Sequence, residues 1–426
     1  MQSARGAPRI ALLRRLSHCL APHTSVRSDV ALSGRPERGT ASTAKTWERA
    51  ASMTTNGAGP PRVLMLSVPA TAGGPLPKLV PEIQAALVER GLAVDWLAWG
   101  GRGEGETRSA RVLGRVGDVF RARRFLSDHP GTSLIAHTSH DWRTVPRDLL
   151  LITLCRSRAR CAVLVLHGSA PARVSAHPRS LFSRLTKTTF GMADAVAVLS
   201  TEERLAWGEL LPGSQVVVVR NPVVTPPKTP VRGLPPSGRP RLLFVGRLIP
   251  AKGCADLLVG FRIVRRSNDC ELRIVGDGPE RASLAQTVHA AELDEDVRMT
   301  GNLRGAALEE EYAAATVLVL PTFYDEGFPT VVVEAMARGV PVVTTRLRGS
   351  ADYFTDSHDV LFVPPRDPEA IAAAIVRLLC DAHFHRQLAE AARVTVKQFD
   401  RSSVAFDYEH LLGIALQAAD NRRKKP

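Results

Sequence analysis

No apolar run in this chain approaches the ~18 residues that a membrane-spanning helix requires; the candidates at 149–154 and 195–199 have the length of strands or short helices. The body of the chain therefore does not read as an integral membrane protein. Cysteine is sparse and scattered: Cys19, Cys155, Cys161, Cys254, Cys270 and Cys380 form no C-x-x-C pair and no Cys/His cluster at metal-ligand spacing. That argues against a disulfide framework and a zinc site, and suits thiols buried as apolar side chains in a reducing cytoplasm. Lysine is scarce, eight residues against 48 arginines, a bias expected of GC-rich coding DNA. Aromatics make up only 5% of the chain, and no arginine cluster interleaves with them, so the net charge of +14 does not read as a nucleic-acid surface. Most of that charge lies at the two ends: nine Lys/Arg against three Asp/Glu in residues 1–60, and four against one in residues 420–426. No internal repeat of solenoid period appears.

What is present is an alternation of apolar strand-like runs and amphipathic helical stretches without hairpin turns, which argues for an α/β fold with parallel sheets. The 426 residues and 44% hydrophobic content suffice for two domains with real cores. Residues 1–60 are rich in Arg, Ser and Ala, poor in acids, and lack a sustained apolar period. They resemble a transit peptide and equally upstream DNA read from a start codon set too early; we prefer the latter, with Met53 a natural beginning. Residues 61–222 form a first Rossmann-like domain, and 223–240, with several prolines, a semi-rigid linker. A second domain follows at 241–400, then a last helix and basic tail at 401–426.

Chemistry concentrates in the second domain. Glu326 and Glu334 stand eight positions apart, the first in a loop and the second inside an apolar helical stretch. Between them Gly327, Phe328, Pro329 and Thr330 mark a strand-to-helix turn, with proline where its missing N–H costs nothing. The unpaired N–H groups of such a helix start suit a phosphate, and Glu334 can accept hydrogen bonds from hydroxyls attached to it. The strand 241–245 ends in Gly246-Arg247, followed by Lys252-Gly253; two cations beyond the first strand of a doubly wound domain can neutralise a diphosphate. The strand 271–275 ends in a glycine turn at Gly276, Asp277 and Gly278, where a ligand role and a tight connection are equally good readings. Asp294-Glu295-Asp296 reads as a solvated turn, not as a metal clamp.

The first domain carries a weaker pattern. After its first strand, Gly73-Gly74 allow close approach of backbone to a ligand or form a plain turn. His167 ends the strand 162–166, at the sheet's carboxyl edge, where a neutral imidazole can donate to a hydroxyl; a packing histidine is the alternative. His137, with His140 and Asp141 beyond it, is assigned to the acceptor side, with no metal needed to explain the group.

Together these residues resemble the retaining glycosyltransferases of family 4, which have the GT-B fold: two Rossmann-like domains facing a cleft. The match lies in the E-x7-E spacing of Glu326 and Glu334, in G-R-x(n)-K-G at Gly246, Arg247 and Lys252, in the glycine turn at Gly276, in the Gly-Gly loop and in His167-Gly168. It covers roughly residues 61–420. Arg220-Asn221-Pro222-Val223 departs from the family's P-N-G-V, which puts any backbone contact of that glycine in doubt. The resemblance implies a nucleotide-diphosphate sugar as donor substrate, with Arg247 and Lys252 on its diphosphate and His167 and Glu326 as catalytic residues near its sugar. It also implies a hydroxyl acceptor, retention, no metal and no cofactor, and a last helix that crosses back to the first domain. Another GT-B enzyme, such as a phosphorylase or a nucleotide-sugar epimerase, and a non-catalytic nucleotide-binding protein are the alternatives. No nucleic-acid partner is expected. A cytoplasmic location is, with the tail Arg422-Arg423-Lys424-Lys425 a candidate peripheral contact with an anionic membrane face.

Overall fold

Continuous apolar runs such as Ala162–Leu166, buried at every residue, belong in a parallel sheet covered on both faces, and two such sheets make up the molecule. The computed structural model describes residues 60–69, 76–100, 108–223, 233–234, 238–324 and 327–424, with the side chains of 108–113 excepted. The expectations for residues 1–59, Gly73, Gly74, most of the linker, Glu326 and Lys425 therefore lie outside the described residues.

The first half runs β1 (Arg62–Ser67), α1 (Leu76–Glu89), β2 (Ala93–Ala98), α2 (Arg108–Asp128), β3 (Ser133–Thr138), α3 (Val145–Cys155), β4 (Ala162–Leu166), α4 (Pro171–Ala176), α5 (Leu181–Met192), β5 (Ala195–Val198), α6 (Thr201–Leu210) and β6 (Val216–Val218). Its strands are parallel, in the order β2-β1-β3-β4-β5-β6. The second half runs β7 (Arg241–Val245), α7 (Cys254–Arg265), β8 (Glu271–Val275), α8 (Arg281–Ala290), β9 (Val297–Gly301), α9 (Ala306–Ala314), β10 (Val317–Leu320), α10 (Thr330–Ala337), β11 (Val342–Thr345), α11 (Arg348–Tyr353), β12 (Leu361–Val363), α12 (Pro368–Cys380), α13 (Ala382–Thr395) and α14 (Arg401–Lys424). Its sheet is also parallel, in the order β12-β11-β10-β7-β8-β9.

Each sheet begins in its middle and winds outward in both directions. The chain reverses its winding between β1 and β3 in one sheet and between β7 and β10 in the other, and a crevice opens at the carboxyl ends of each such pair. The sequence motifs fall on these two places. Local signals fix the element ends: Gly91, at φ 84°, closes α1 in the left-handed conformation that disfavours a side chain, and the Ser200 hydroxyl caps α6 by accepting from the Glu203 N–H at 3.2 Å.

The last helix, α14, follows the second sheet in sequence but packs on the first, against α1, β4 and β5. Ion pairs tie it there: Arg401 to Glu82 and Glu89, Arg90 to Glu409, Arg422 to Asp194. Arg220, which departs from the family pattern, takes Asp407 with two guanidinium nitrogens at 2.7 and 2.6 Å. The departure thus anchors the crossing helix to the end of the first sheet's chain. Arg423 donates to the carbonyls of Ala159 and Arg160, so two of the basic tail's four cations are engaged by the protein itself. No described helix is long and apolar enough to cross a membrane.

Candidate functional site

At the β7/β10 crevice the backbone is stitched together before any side chain is considered. The carbonyl of Ala251, after β7, accepts from the Phe323 N–H at 2.8 Å and the Thr322 hydroxyl at 3.1 Å, after β10. This brings Lys252 beside the loop that leads to α10, its Nζ 5.2 Å from the centre of the Tyr324 ring. Burial and, secondarily, the neighbouring Arg247 push the Lys252 ammonium down to about 8. A cation held this uncomfortably gains from an anion. Arg247 itself is exposed. The glycines here answer to packing: a Cβ on Gly276 would overlap the carbonyl of Gly246, one on Gly278 the carbonyl of Leu248, and one on Gly253 the carbonyl of Pro321. Close backbone stacking of the β7 and β8 loops therefore accounts for Gly276 and Gly278 without a ligand, Gly276 stacking on Gly246 and Gly278 on Leu248.

The turn Gly327–Pro329 opens α10, whose first turn has no side-chain cap among the described residues; the Thr330 N–H donates to the Phe328 carbonyl at 3.0 Å, which leaves the N–H groups of Val331 and Val332 for an anion. Phe328 does not face a ligand. It is buried against Tyr353 and Phe399, with ring centres 5.9 and 5.2 Å away, and pins the turn in place; Thr330 begins the helix. Glu334 accepts from the Tyr312 hydroxyl at 2.8 Å through one carboxylate oxygen, which fixes its direction. Among the described residues its other oxygen has no protein partner.

Sequence reasoning missed what closes this turn against the first sheet. Glu203, fully buried, accepts from Ser169 and from the Leu199 N–H, and its Oε2 lies 2.7 Å from where a Cβ on Gly327 would stand. Gly327 is thus required by contact with the other half of the molecule. Arg348, at φ 31°, donates to the Ser169 carbonyl at 3.2 Å and pairs with Glu202 at 3.3 Å. Asp352 accepts from the Thr201 N–H at the positive end of α6, and the Tyr353 hydroxyl donates to the Leu199 carbonyl. Ser200 with Glu203 at the start of α6 is a local helix cap, and nothing local to it marks an interface.

In the first sheet, β3 and β4 bring His137 and His167 together, with His137 Nδ1 2.8 Å from His167 Nε2. Burial pushes His167 down to about 4, and burial plus His167 pushes His137 well below its ordinary range. His167 lies two residues from Ser169 and therefore beside the seam. His140 is elsewhere in function: its Nδ1 accepts from the Ala170 N–H at 3.2 Å and its Nε2 meets the Thr186 hydroxyl at 3.1 Å. Packed against Phe182, Phe190 and Trp207, it is a structural residue and offers no free nitrogen to an acceptor. That corrects its placement on the acceptor side. Asp296 differs as well, being held by Arg239 and Arg265 instead of merely solvated.

Comparison with known proteins adds to this geometry. Residues 239–381 match the profile of the family described as Glycosyl transferases group 1. Over 162 residues the chain is 37% identical to the GDP-mannose-dependent alpha-mannosyltransferase of Mycolicibacterium smegmatis, covering 38% of this chain and 40% of that protein. It spans 21–51% of the length of other curated relatives. Among solved structures, sucrose-phosphate synthase from Thermosynechococcus elongatus superposes over 82% of this chain and 98% of its own, with TM-score 0.64 at 21% identity. Anabaena Alr3699/HepE, solved with UDP and glucose, superposes over 85% of this chain and 99% of its own, with TM-score 0.59 at 17% identity. The fold is therefore GT-B, and its second half carries the sequence pattern of the Glycosyl transferases group 1.

Proposed function

We propose that the chain is a glycosyltransferase moving a sugar from a nucleotide diphosphate, bound at the β7/β10 crevice, to a hydroxyl acceptor lodged at the carboxyl edge of the first sheet. The observation that carries this reading is the convergence of Lys252, Arg247 and the uncapped start of α10 on one switch point, within the span that matches the family profile. A diphosphate is the ligand with charge enough to use all three.

When the sugar leaves, negative charge grows on the β-phosphate and positive charge on the ring. Fixed cations and amide dipoles aimed at the phosphate stabilise the first without reorganising. Arg247 and Lys252 do for the leaving group what a metal ion does elsewhere, so no cofactor enters the reading. Glu334, steered by Tyr312, would take the ribose hydroxyls, and His167 a hydroxyl of the sugar or acceptor. Glu326 keeps its catalytic assignment on the family resemblance alone, as does retention of configuration. The neighbour solved with UDP makes a uridine nucleotide a reasonable first donor to try. Four buried thiols, those of Cys155, Cys161, Cys254 and Cys270, suit the cytoplasmic location.

A panel of nucleotide sugars tests the reading by thermal shift and donor hydrolysis. At least one is expected to raise the melting temperature and to be hydrolysed slowly, without added metal and in the presence of EDTA. Glu334→Gln is expected to weaken that binding by roughly 1.5–3 kcal/mol, the worth of a hydrogen bond to a charged group. Release of a free sugar phosphate, or epimerisation without an acceptor, would move the assignment to a phosphorylase or an epimerase. No binding across the panel would overturn the proposal.

A further inference from the structure

The acids of the first sheet are unevenly spread. Between Asp141 and Glu202 the chain holds only Asp148 and Asp194, and both are buried, so no carboxylate of that stretch reaches the surface. Its cations divide by the end of β4 at which they stand. Arg156, Arg158 and Arg160 precede the strand, whereas Arg173, Arg179, Arg184 and Lys187 follow it, on α4, on α5 and in the turn between them. The second group makes no ion pair among the described residues, and its three arginines are exposed.

Apolar side chains stand among these cations. Trp142, in the loop after β3, is 46% exposed, and Leu181, the first residue of α5, is 64% exposed. Phe182, itself buried, gathers the patch: its ring centre lies 4.9 Å from that of Trp142, and the Arg173 guanidinium covers it at 4.4 Å. Along α5, Leu181, Arg184 and Thr188 have the i, i+3, i+7 spacing of one helix face, and all three are exposed. Because β3 and β4 both lead into it, the patch lies at the carboxyl edge of the first sheet.

Its composition selects the partner. An exposed leucine gains nothing from a hydrophilic polysaccharide. Single-stranded nucleic acid needs stacking faces in series, and with Phe182 buried the patch offers one, Trp142. A bilayer with anionic headgroups uses every component: the cations meet headgroup charge, the tryptophan suits the membrane–water boundary, and the leucine enters the acyl region beneath it.

We propose that α4, α5 and the Trp142 loop form a docking surface for an anionic lipid bilayer. Leu181 and Trp142 enter the headgroup boundary, and Arg179, Arg184 and Lys187 lie against the headgroups. The basic tail takes no part. Arg423 is held by the carbonyls of Ala159 and Arg160, before β4 begins, at the opposite end of that strand from the patch. Docked in this way, the protein holds its acceptor edge at the lipid surface, so the acceptor is a lipid-linked hydroxyl. That last step rests on the transferase reading; the docking does not.

Full-length protein is floated with vesicles of phosphatidylglycerol and phosphatidylcholine, and with phosphatidylcholine alone, at low and high salt. Binding is expected to the anionic vesicles, more weakly at high salt, and not to the neutral ones. Arg179→Glu combined with Arg184→Glu is expected to lower the partition about 20-fold or more, each cation near an anionic surface accounting for about fivefold, and Leu181→Ser to lower it about tenfold. These positions are exposed, so the variants should melt at the wild-type temperature. Brominated lipids are expected to quench tryptophan fluorescence in the wild type and much less in Trp142→Phe. The proposal fails if the wild type does not float with anionic vesicles, if the charge-reversed variant floats equally well, or if Trp142→Phe is quenched as strongly as the wild type. Displacement from the vesicles by an RNA oligonucleotide held through the same arginines would also overturn it, assigning the patch to nucleic acid. A protein that docks as expected and yet transfers no sugar leaves the surface intact and removes the transferase reading.

Discussion

The two sheets have the same winding and a crevice at corresponding strand ends, yet the crevices are built from different materials. At β7/β10 the walls are backbone: glycines whose Cβ atoms would overlap facing carbonyls, and a helix start without a cap, with two cations set among them. At the carboxyl edge of the first sheet the walls are buried titratable side chains drawn from β3, β4 and α14. A diphosphate is the same in every donor, and backbone geometry with short local motifs suffices to hold it. A variable acceptor demands side chains, and these come from distant parts of the chain.

Removing the cations should break the comparison most sharply. Arg247→Ala and Lys252→Ala are each expected to cut kcat/KM by ~10²-fold or more, since each deletes a contact that strengthens as the phosphate leaves. Steady-state kinetics with saturating acceptor measures it, and near-normal values in both variants would mean that the β7/β10 crevice is not the donor site. Next in size comes the backbone itself. Gly276→Ala forces a Cβ into the Gly246 carbonyl at φ 146°, so about 3 kcal/mol of stability or more should be lost through crowding and backbone strain. Chemical denaturation reads this directly; a loss of less than 1 kcal/mol would show that the two loops can separate.

How much of this was legible beforehand follows the same division. Arg247, Lys252 and Gly327–Thr330 sit within a few residues of their strand ends, and a strand end is visible as the point where an apolar run meets glycine. The GT-B architecture was legible for that reason too. Glu203 facing Gly327, and Arg348 reaching Ser169, join residues more than 100 positions apart; no local period encodes such a meeting. His140 was misread because a histidine in a loop after a strand looks the same whether it faces solvent or, as here, an aromatic cluster. Phe328 and Gly276 lie inside the stretch that matches the family profile but serve its packing, a distinction that needs coordinates.

A smaller effect sharpens the electrostatic half of the comparison. With its folded-state value near 8, below the ordinary lysine range, Lys252 releases its proton earlier in the folded protein than in the unfolded chain. Between about 8 and 10.5 the unfolded chain binds more protons, so this group adds stability as pH rises through that window. Donor binding needs the ammonium and should weaken over the same interval, by up to tenfold per pH unit. Calorimetry of nucleotide binding from pH 7 to 9.5 checks it; flat affinity would place Lys252 away from the phosphate. The smallest effect belongs to the tail. Because Arg422 and Arg423 are held by Asp194 and by the carbonyls of Ala159 and Arg160, a protein ending at Ala419 should float with anionic liposomes much as the full chain does. A clear, salt-sensitive loss on truncation would establish the tail as a membrane contact.

The return of α14 to the first sheet has a topological consequence. The N-terminal lobe is discontinuous in sequence, so cutting the chain near residue 240 leaves the first lobe without its last helix and the second lobe carrying a helix that belongs on the first. The chain leaving the first sheet meets the chain returning to it where the Val223 N–H donates to the Phe399 carbonyl at 3.0 Å. Any motion of the histidine pair relative to the β7/β10 crevice must turn about this joint or part it.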